Sequence, residues 1–283
     1  MEVEEVKKPT DSNLKRISSA LIGFPLVALI FIIGNKYVVS VVLAIIAILS
    51  MGEYLHAASK KANPIKWISY LSAALISLLS LVPQNQYGNI ILVAMPTILL
   101  VLFLEVILTG MKKNFNDLAY TFIGIIYVVF LIGSMAMVRN LENGRILIWY
   151  VFFGGWATDV FAYAIGRRFG KHKFSSVSPK KSIEGCVAGT IGAIMVMLIY
   201  TYFINKYTVL EYSYLQISII SLLLSIIGQI GDFAASTIKR YVDIKDYSNL
   251  IPGHGGMLDR IDSIMFIAPF AYMLLSLLWL NKT

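Results

Sequence analysis

Residues 214–280 read YLQISIISLLLSIIGQIGDFAASTIKRYVDIKDYSNLIPGHGGMLDRIDSIMFIAPFAYMLLSLLWL. A helix needs about 20 mostly apolar residues to cross a bilayer, and the runs 214–235 and 261–280 both meet that length. Between them, Lys239, Arg240, Lys245 and Arg260 alternate with Asp243, Asp246, Asp259 and Asp262 around a Gly253-His254-Gly255-Gly256 run. This stretch sets the fold: helices in lipid, with polar chemistry gathered where two of them leave the membrane.

The rest of the chain agrees. Of 283 residues, 58% are hydrophobic and 14% charged, with a mean hydropathy of +0.74. A soluble domain is about one quarter charged, so lipid is the main solvent here. The expected fold class is an all-α polytopic membrane protein of about nine transmembrane helices, at 17–34, 37–55, 67–83, 89–110, 117–138, 146–166, 184–205, 214–235 and 261–280. Residues 1–16 read as a polar cytosolic tail whose Glu2, Glu4, Glu5 and Asp11 argue against a transit peptide. The run after it has no small-residue cleavage signal and reads as a retained first span. With no repeat or linker in view, residues 17–283 form a single transmembrane catalytic domain. The lone Cys186 excludes an internal disulfide, and there is no zinc-type cysteine spacing.

Charge gives an orientation. With the N-terminus inside, 19 of the 24 Lys and Arg residues fall on the inner side. The positive-inside rule then places the N-terminus in the cytosol and the C-terminus outside, in the cell (inner) membrane. The net charge of +8 suits an anionic leaflet. Nucleic acid is not an expected partner, since no soluble basic module is present to hold it.

Two inner connections carry 10 of those 19 basic residues: GRRFGKHKFSSVSPKKSIEG before the seventh span, and the stretch between the last two. Asp232, Ser236, Lys239 and Arg240 are spaced to share one helix face, as are Asp259 and Asp262. A carboxylate within a span is costly and by default functional. Asp232, Asp259 and Asp262 together offer hard oxygen ligands suited to Mg²⁺, and Lys239, Arg240, Lys245 and Arg260 suit polyphosphate. Gly253, Gly255 and Gly256 leave backbone N–H groups open, and the N-terminus of the following helix adds a positive dipole.

Plainer roles stand beside these. Juxtamembrane cations serve as topology anchors, Asp259 and Arg260 as a surface ion pair, and glycines as turn formers. Asp159 is a second intramembrane acid, with Tyr163 one turn on. Glu53 and Glu105 stay open between function and snorkelling or helix packing. Ser178-Pro179 reads as the N-cap and first residue of the seventh helix, putting Lys180 and Lys181 in its first turn, where the dipole disfavours cations unless an anion is near. Gly185, Gly189 and Gly192 have the spacing of close helix packing. The run from Gly166 to His172 is one residue short of a P-loop and lacks its closing Ser or Thr; HExxH, CxxC and GxSxG are absent.

These residues resemble the phosphatidate cytidylyltransferase (CDP-diacylglycerol synthase) family. Its signature is matched without a break by Ser236, Lys239, Arg240, Lys245, Asp246, Ser248, Ile251, Pro252, His254, Gly255, Gly256, Met257, Asp259, Arg260, Ile261 and Asp262. Ser178-Pro179-Lys180-Lys181-Ser182, with Glu184 and Gly185, is similar to a second family element, and Asp159 with Ala162 and Tyr163 to a third. The first five spans match only in hydropathy.

The resemblance implies the reaction CTP + phosphatidate → CDP-diacylglycerol + pyrophosphate at the cytosolic face, with Mg²⁺ and a paired metal centre on aspartates. It implies metal on Asp232, Asp259 and Asp262. Catalytic or phosphate-holding roles fall to Lys239, Arg240, Lys245, Asp246, His254 and Arg260. Substrate contacts fall to Asp159, Ser178, Lys180, Lys181, Glu184, Ser236, Gly253, Gly255 and Gly256. CTP, phosphatidate and membrane lipids are the expected partners, and a homodimer is left open. Two other readings compete. A CDP-alcohol phosphotransferase would carry a D-G-x2-A-R pattern that is missing here, and an ion-coupled transporter would usually show repeats.

Overall fold

The computed structural model describes residues 27–175, 177–251, 253 and 255–280. The polar tail, most of the expected first span, Pro252 and His254 lie outside the described residues; 27–33 are helical.

The described chain is helical throughout, with two isolated antiparallel bridges, Lys173 to Ser182 and Ile251 to Gly255. In chain order the helices are α1 (Lys36–Ala58), α2 (Lys66–Leu75), α3 (Tyr87–Leu108), α4 (Phe115–Gly124), α5 (Leu131–Asn140), α6 (Gly144–Phe169), α7 (Ile183–Tyr207), α8 (Tyr214–Tyr241) and α9 (Leu258–Leu280). Seven helical segments among the described residues are long and apolar enough to cross a membrane, α4 and α5 counting as one, Phe115–Asn140. The protein is a multi-pass membrane protein.

Two expected spans take a different form. The segment 67–83 is a shorter apolar helix, Lys66–Leu81, that tightens into a 3₁₀ stretch at Ile76–Leu81. Serine hydroxyls turn back on the backbone along this segment: Ser69 Oγ donates to Ile65 O (2.9 Å), Ser77 Oγ to Ala74 O (2.8 Å) and Ser80 Oγ to Ser77 O (3.3 Å). Such back-bonding competes with the helical ladder, and Pro83 follows it. Between α4 and α5, Ile125–Phe130 is a π-helical segment, a feature frequent at functional sites. Its Tyr127 is buried and stands close enough to Tyr247, Asp262 and Asp259 to interact with them.

Small residues draw the last four helices together. A Cβ on Gly189 of α7 would lie 2.7 Å from Thr158 O of α6, and one on Gly192 would strike the Phe161 ring at 2.2 Å. This is the close packing expected of Gly185, Gly189 and Gly192. At the α8–α9 contact, a Cβ on Gly231 would lie 2.8 Å from Asp262 O. Hydroxyls tie the interior further. Thr158 Oγ1 and Ser225 Oγ are 2.8 Å apart, Ser225 Oγ donates to Thr190 Oγ1 (3.2 Å), and Gln229 Nε2 donates to the same oxygen (3.0 Å). In lipid, each such group would otherwise be left unsatisfied.

Candidate active site

The close α8–α9 approach sets Asp232 beside the first turns of α9. Gly155 of α6 meets α9 in the same way, a Cβ there falling 2.8 Å from Ile264 Cγ1. Asp159 on α6, Asp232 on α8 and Asp262 on α9 therefore come to one corner of the bundle. Ser263 Oγ donates to Asp159 Oδ2 at 3.2 Å. Asp262 is buried.

Lys181 enters this corner from the connection before α7. Its ammonium pairs with Asp232 and lies 4.4 Å from the centroid of the Phe233 ring. Burial pushes the Lys181 ammonium below the ordinary lysine range, and Asp159 and Asp262 pull it back up. The half-buried Lys181 thus faces three carboxylates, with Lys239 also acting on Asp262 and Arg260 on Asp159.

The connection is shaped for this. Lys181 N donates to Ser178 O at 3.0 Å, closing a turn over Pro179 and Lys180. The N-cap of α7 is Ser182, whose Oγ accepts from Gly185 N at 3.1 Å. The expected cap at Ser178 is therefore displaced by four residues, and Lys180 and Lys181 precede the helix. The reason is local: the turn and the Lys173–Ser182 bridge satisfy the backbone up to residue 182. Lys180 is exposed. Glu184 accepts from Lys171 N (3.2 Å), His172 N (3.2 Å) and His172 Nδ1 (2.6 Å), which ties its own loop. Phe174 stacks on Phe233 with centroids 4.7 Å apart and fixes the loop against α8.

The second connection is built around Asp259. Lys239 Nζ donates to Asp259 Oδ1 at 2.6 Å, both side chains being buried. Asp259 Oδ2 accepts from Tyr247 N (2.8 Å) and Gly256 N (3.0 Å). Three of its roughly four acceptor positions are thus taken. Gly253 (φ +76°) and Gly255 (φ +82°) adopt the left-handed conformation that glycine allows. Arg240 Nη1 donates to Ile244 O at 3.2 Å. Arg240, Lys245, Asp246 and Arg260 are exposed, and Ser236 is half-buried.

Glu53, left open in the sequence, is the residue that pattern reading missed. It is buried on α1. Its Oε1 accepts from Ser248 Oγ (2.6 Å) and Met257 N (2.8 Å), and its Oε2 from Leu258 N (2.8 Å). The N-terminus of α9 is therefore already capped by a carboxylate, and the amides of 256–258 serve Asp259 and Glu53 instead of a phosphate. The cost of a carboxylate within a span was the available signal.

Among the described residues, His, Cys, Asp and Glu form no ready-made group of three that could hold a metal. The carboxylate oxygens of Asp232 and Asp262 and the one remaining acceptor position on Asp259 are hard donors of the kind Mg²⁺ takes, with Lys181 on Asp232 and Lys239 on Asp259 already pairing two of the three.

The sequence profile described as the cytidylyltransferase family matches residues 14–278. A phosphatidate cytidylyltransferase of Staphylococcus haemolyticus is 32% identical over 237 residues, covering 82% of this chain and 87% of that protein. One of Staphylococcus saprophyticus is 35% identical over 219 residues, covering 75% and 82%. One of Bacillus subtilis is 36% identical over 174 residues, covering 60% and 63%. With a profile match along nearly its whole length and relatives aligned across most of theirs, the chain belongs to the cytidylyltransferase family.

Proposed function

We infer that the protein is a phosphatidate cytidylyltransferase, making CDP-diacylglycerol and pyrophosphate from CTP and phosphatidate. The observation that carries this reading is the meeting of the two charged connections in one corner: Lys181 from the first, on Asp232 beside Asp262 from the second. The names of its relatives agree with it.

In the reaction, an oxygen of the phosphatidate phosphate attacks the α-phosphorus of CTP. The bond from that phosphorus to the oxygen bridging the β-phosphorus breaks, and pyrophosphate leaves with the electron pair. A phosphomonoester is largely anionic at neutral pH, so positioning and charge neutralisation do most of the work. Lys181 is poised between Asp232 and an incoming phosphate. The exposed Arg240, Lys245 and Arg260 draw in the triphosphate. Lys239 stays on Asp259 and holds the loop. Asp232 and Asp262, with the remaining acceptor position of Asp259, would hold Mg²⁺, which supplies charge neutralisation on the phosphates. The 19-of-24 bias of basic residues supports a cytosolic site in the cell membrane.

Purified protein given CTP, phosphatidate and Mg²⁺ should release pyrophosphate in step with CDP-diacylglycerol. Pyrophosphate release that continues without phosphatidate would contradict the assignment.

A further inference from the structure

The connection between α8 and α9 is gripped at both roots by two carboxylates from different parts of the chain. Asp259 takes the amides of Tyr247 and Gly256, and Glu53 takes the Ser248 hydroxyl and the amides of Met257 and Leu258. Their partners are interleaved: 247 and 256 go to one acid, 248, 257 and 258 to the other. Between these roots, Ile251 N donates to Gly255 O at 2.9 Å. A Cβ on Gly256 would lie 2.6 Å from Glu53 Oε2, so a side chain there would push this carboxylate from its place.

We propose that Glu53 is a positioning residue for the loop between α8 and α9. Its carboxylate, brought in from a helix about two hundred residues away in sequence, sets the spacing of the loop roots at Ser248 and at Met257 and Leu258. Asp259 is anchored within its own hairpin of helices, whereas Glu53 ties that hairpin to α1. A carboxylate is needed because all three partners are donors. A glutamine would turn an NH₂ group on one of them, leaving two donors face to face in a buried site. Glu53 touches no substrate; it acts through Ser248, Met257 and Leu258. The inference rests on the loop holding the phosphates of CTP or of phosphatidate.

The test is steady-state kinetics of purified Glu53→Gln and Glu53→Asp, titrating CTP and phosphatidate separately, with amide hydrogen exchange on the same samples. Glu53→Gln should raise the KM of the substrate the loop holds by about 10- to 100-fold. Exchange should quicken at 247–258 and stay slow in α6 and α7. Glu53→Asp, which keeps the charge, should recover part of the loss. Ser248→Ala removes one of the three bonds and leaves the α9 cap in place, so it serves if Glu53→Gln is not recovered folded. It should raise the same KM by about threefold or more. Both KM values unchanged in the folded variants, with only the active fraction reduced, would overturn the proposal. A wild-type protein that turns over neither substrate would instead overturn the functional reading on which it rests.

Discussion

The Lys181 ammonium is paired with the Asp232 carboxylate, and this contact fastens the connection before α7 to the C-terminal half of α8. It joins two segments that are separate in sequence, and on the proposed function Lys181 would also meet the substrate phosphate. Lys181→Gln should lower kcat/KM for CTP by about 10- to 100-fold, the usual worth of one or two charge-assisted hydrogen bonds. Lys180→Gln, at an exposed position, should cost much less. Equal losses in the two variants would remove Lys181 from its special place.

The buried Lys239–Asp259 pair makes a prediction about stability. Lys239→Met leaves the buried Asp259 with only backbone donors, which should destabilise the protein by about 3–5 kcal/mol. Thermal unfolding in detergent reads the effect. An unchanged midpoint would mean that water reaches Asp259 and that the pair does not organise the loop.

Helix packing predicts a contrast between two glycines. Gly189→Val must push α6 and α7 apart, since even its Cβ meets Thr158 O at 2.7 Å, and should cost about 1–3 kcal/mol. Gly88→Ala meets nothing within 4 Å and should stay within about 0.5 kcal/mol of wild type. Comparable midpoints for the two variants would contradict the described α6–α7 contact.

Sidedness follows from the charge bias. Inside-out vesicles should consume added CTP and keep the product in their own lipid, while sealed right-side-out vesicles should stay inactive until permeabilised. Equal activity in both orientations would break the proposed topology.

Much of this was legible in the residues. Apolar runs announce helices because lipid demands them, and residues 236–262 announce a site because charge within such a chain needs a reason. Proximity was harder to read. Nothing in the pattern around Glu53 shows that it caps α9, because the contact is made by the fold across about two hundred residues. Ser178-Pro179 has the composition of a helix start, yet the turn over Lys180 and the bridge to Lys173 carry the cap on to Ser182. The 3₁₀ stretch at Ile76–Leu81 is a local tightening that an apolar run does not announce. The sequence pattern offers Asp259 as a metal ligand; in the fold it holds Lys239 and two loop amides.

The central claim, nucleotidyl transfer from CTP to phosphatidate at the corner where Lys181 meets Asp232, is tested most directly by the position of a label. Purified protein with phosphatidate and Mg²⁺ is given CTP carrying radioactive phosphorus at either the α or the γ position, and lipid and aqueous phases are counted separately. The account predicts that the α label enters the lipid phase as CDP-diacylglycerol and that the γ label leaves as pyrophosphate. Label from the γ position in the lipid, or α label that remains wholly aqueous while CTP is consumed, would contradict it.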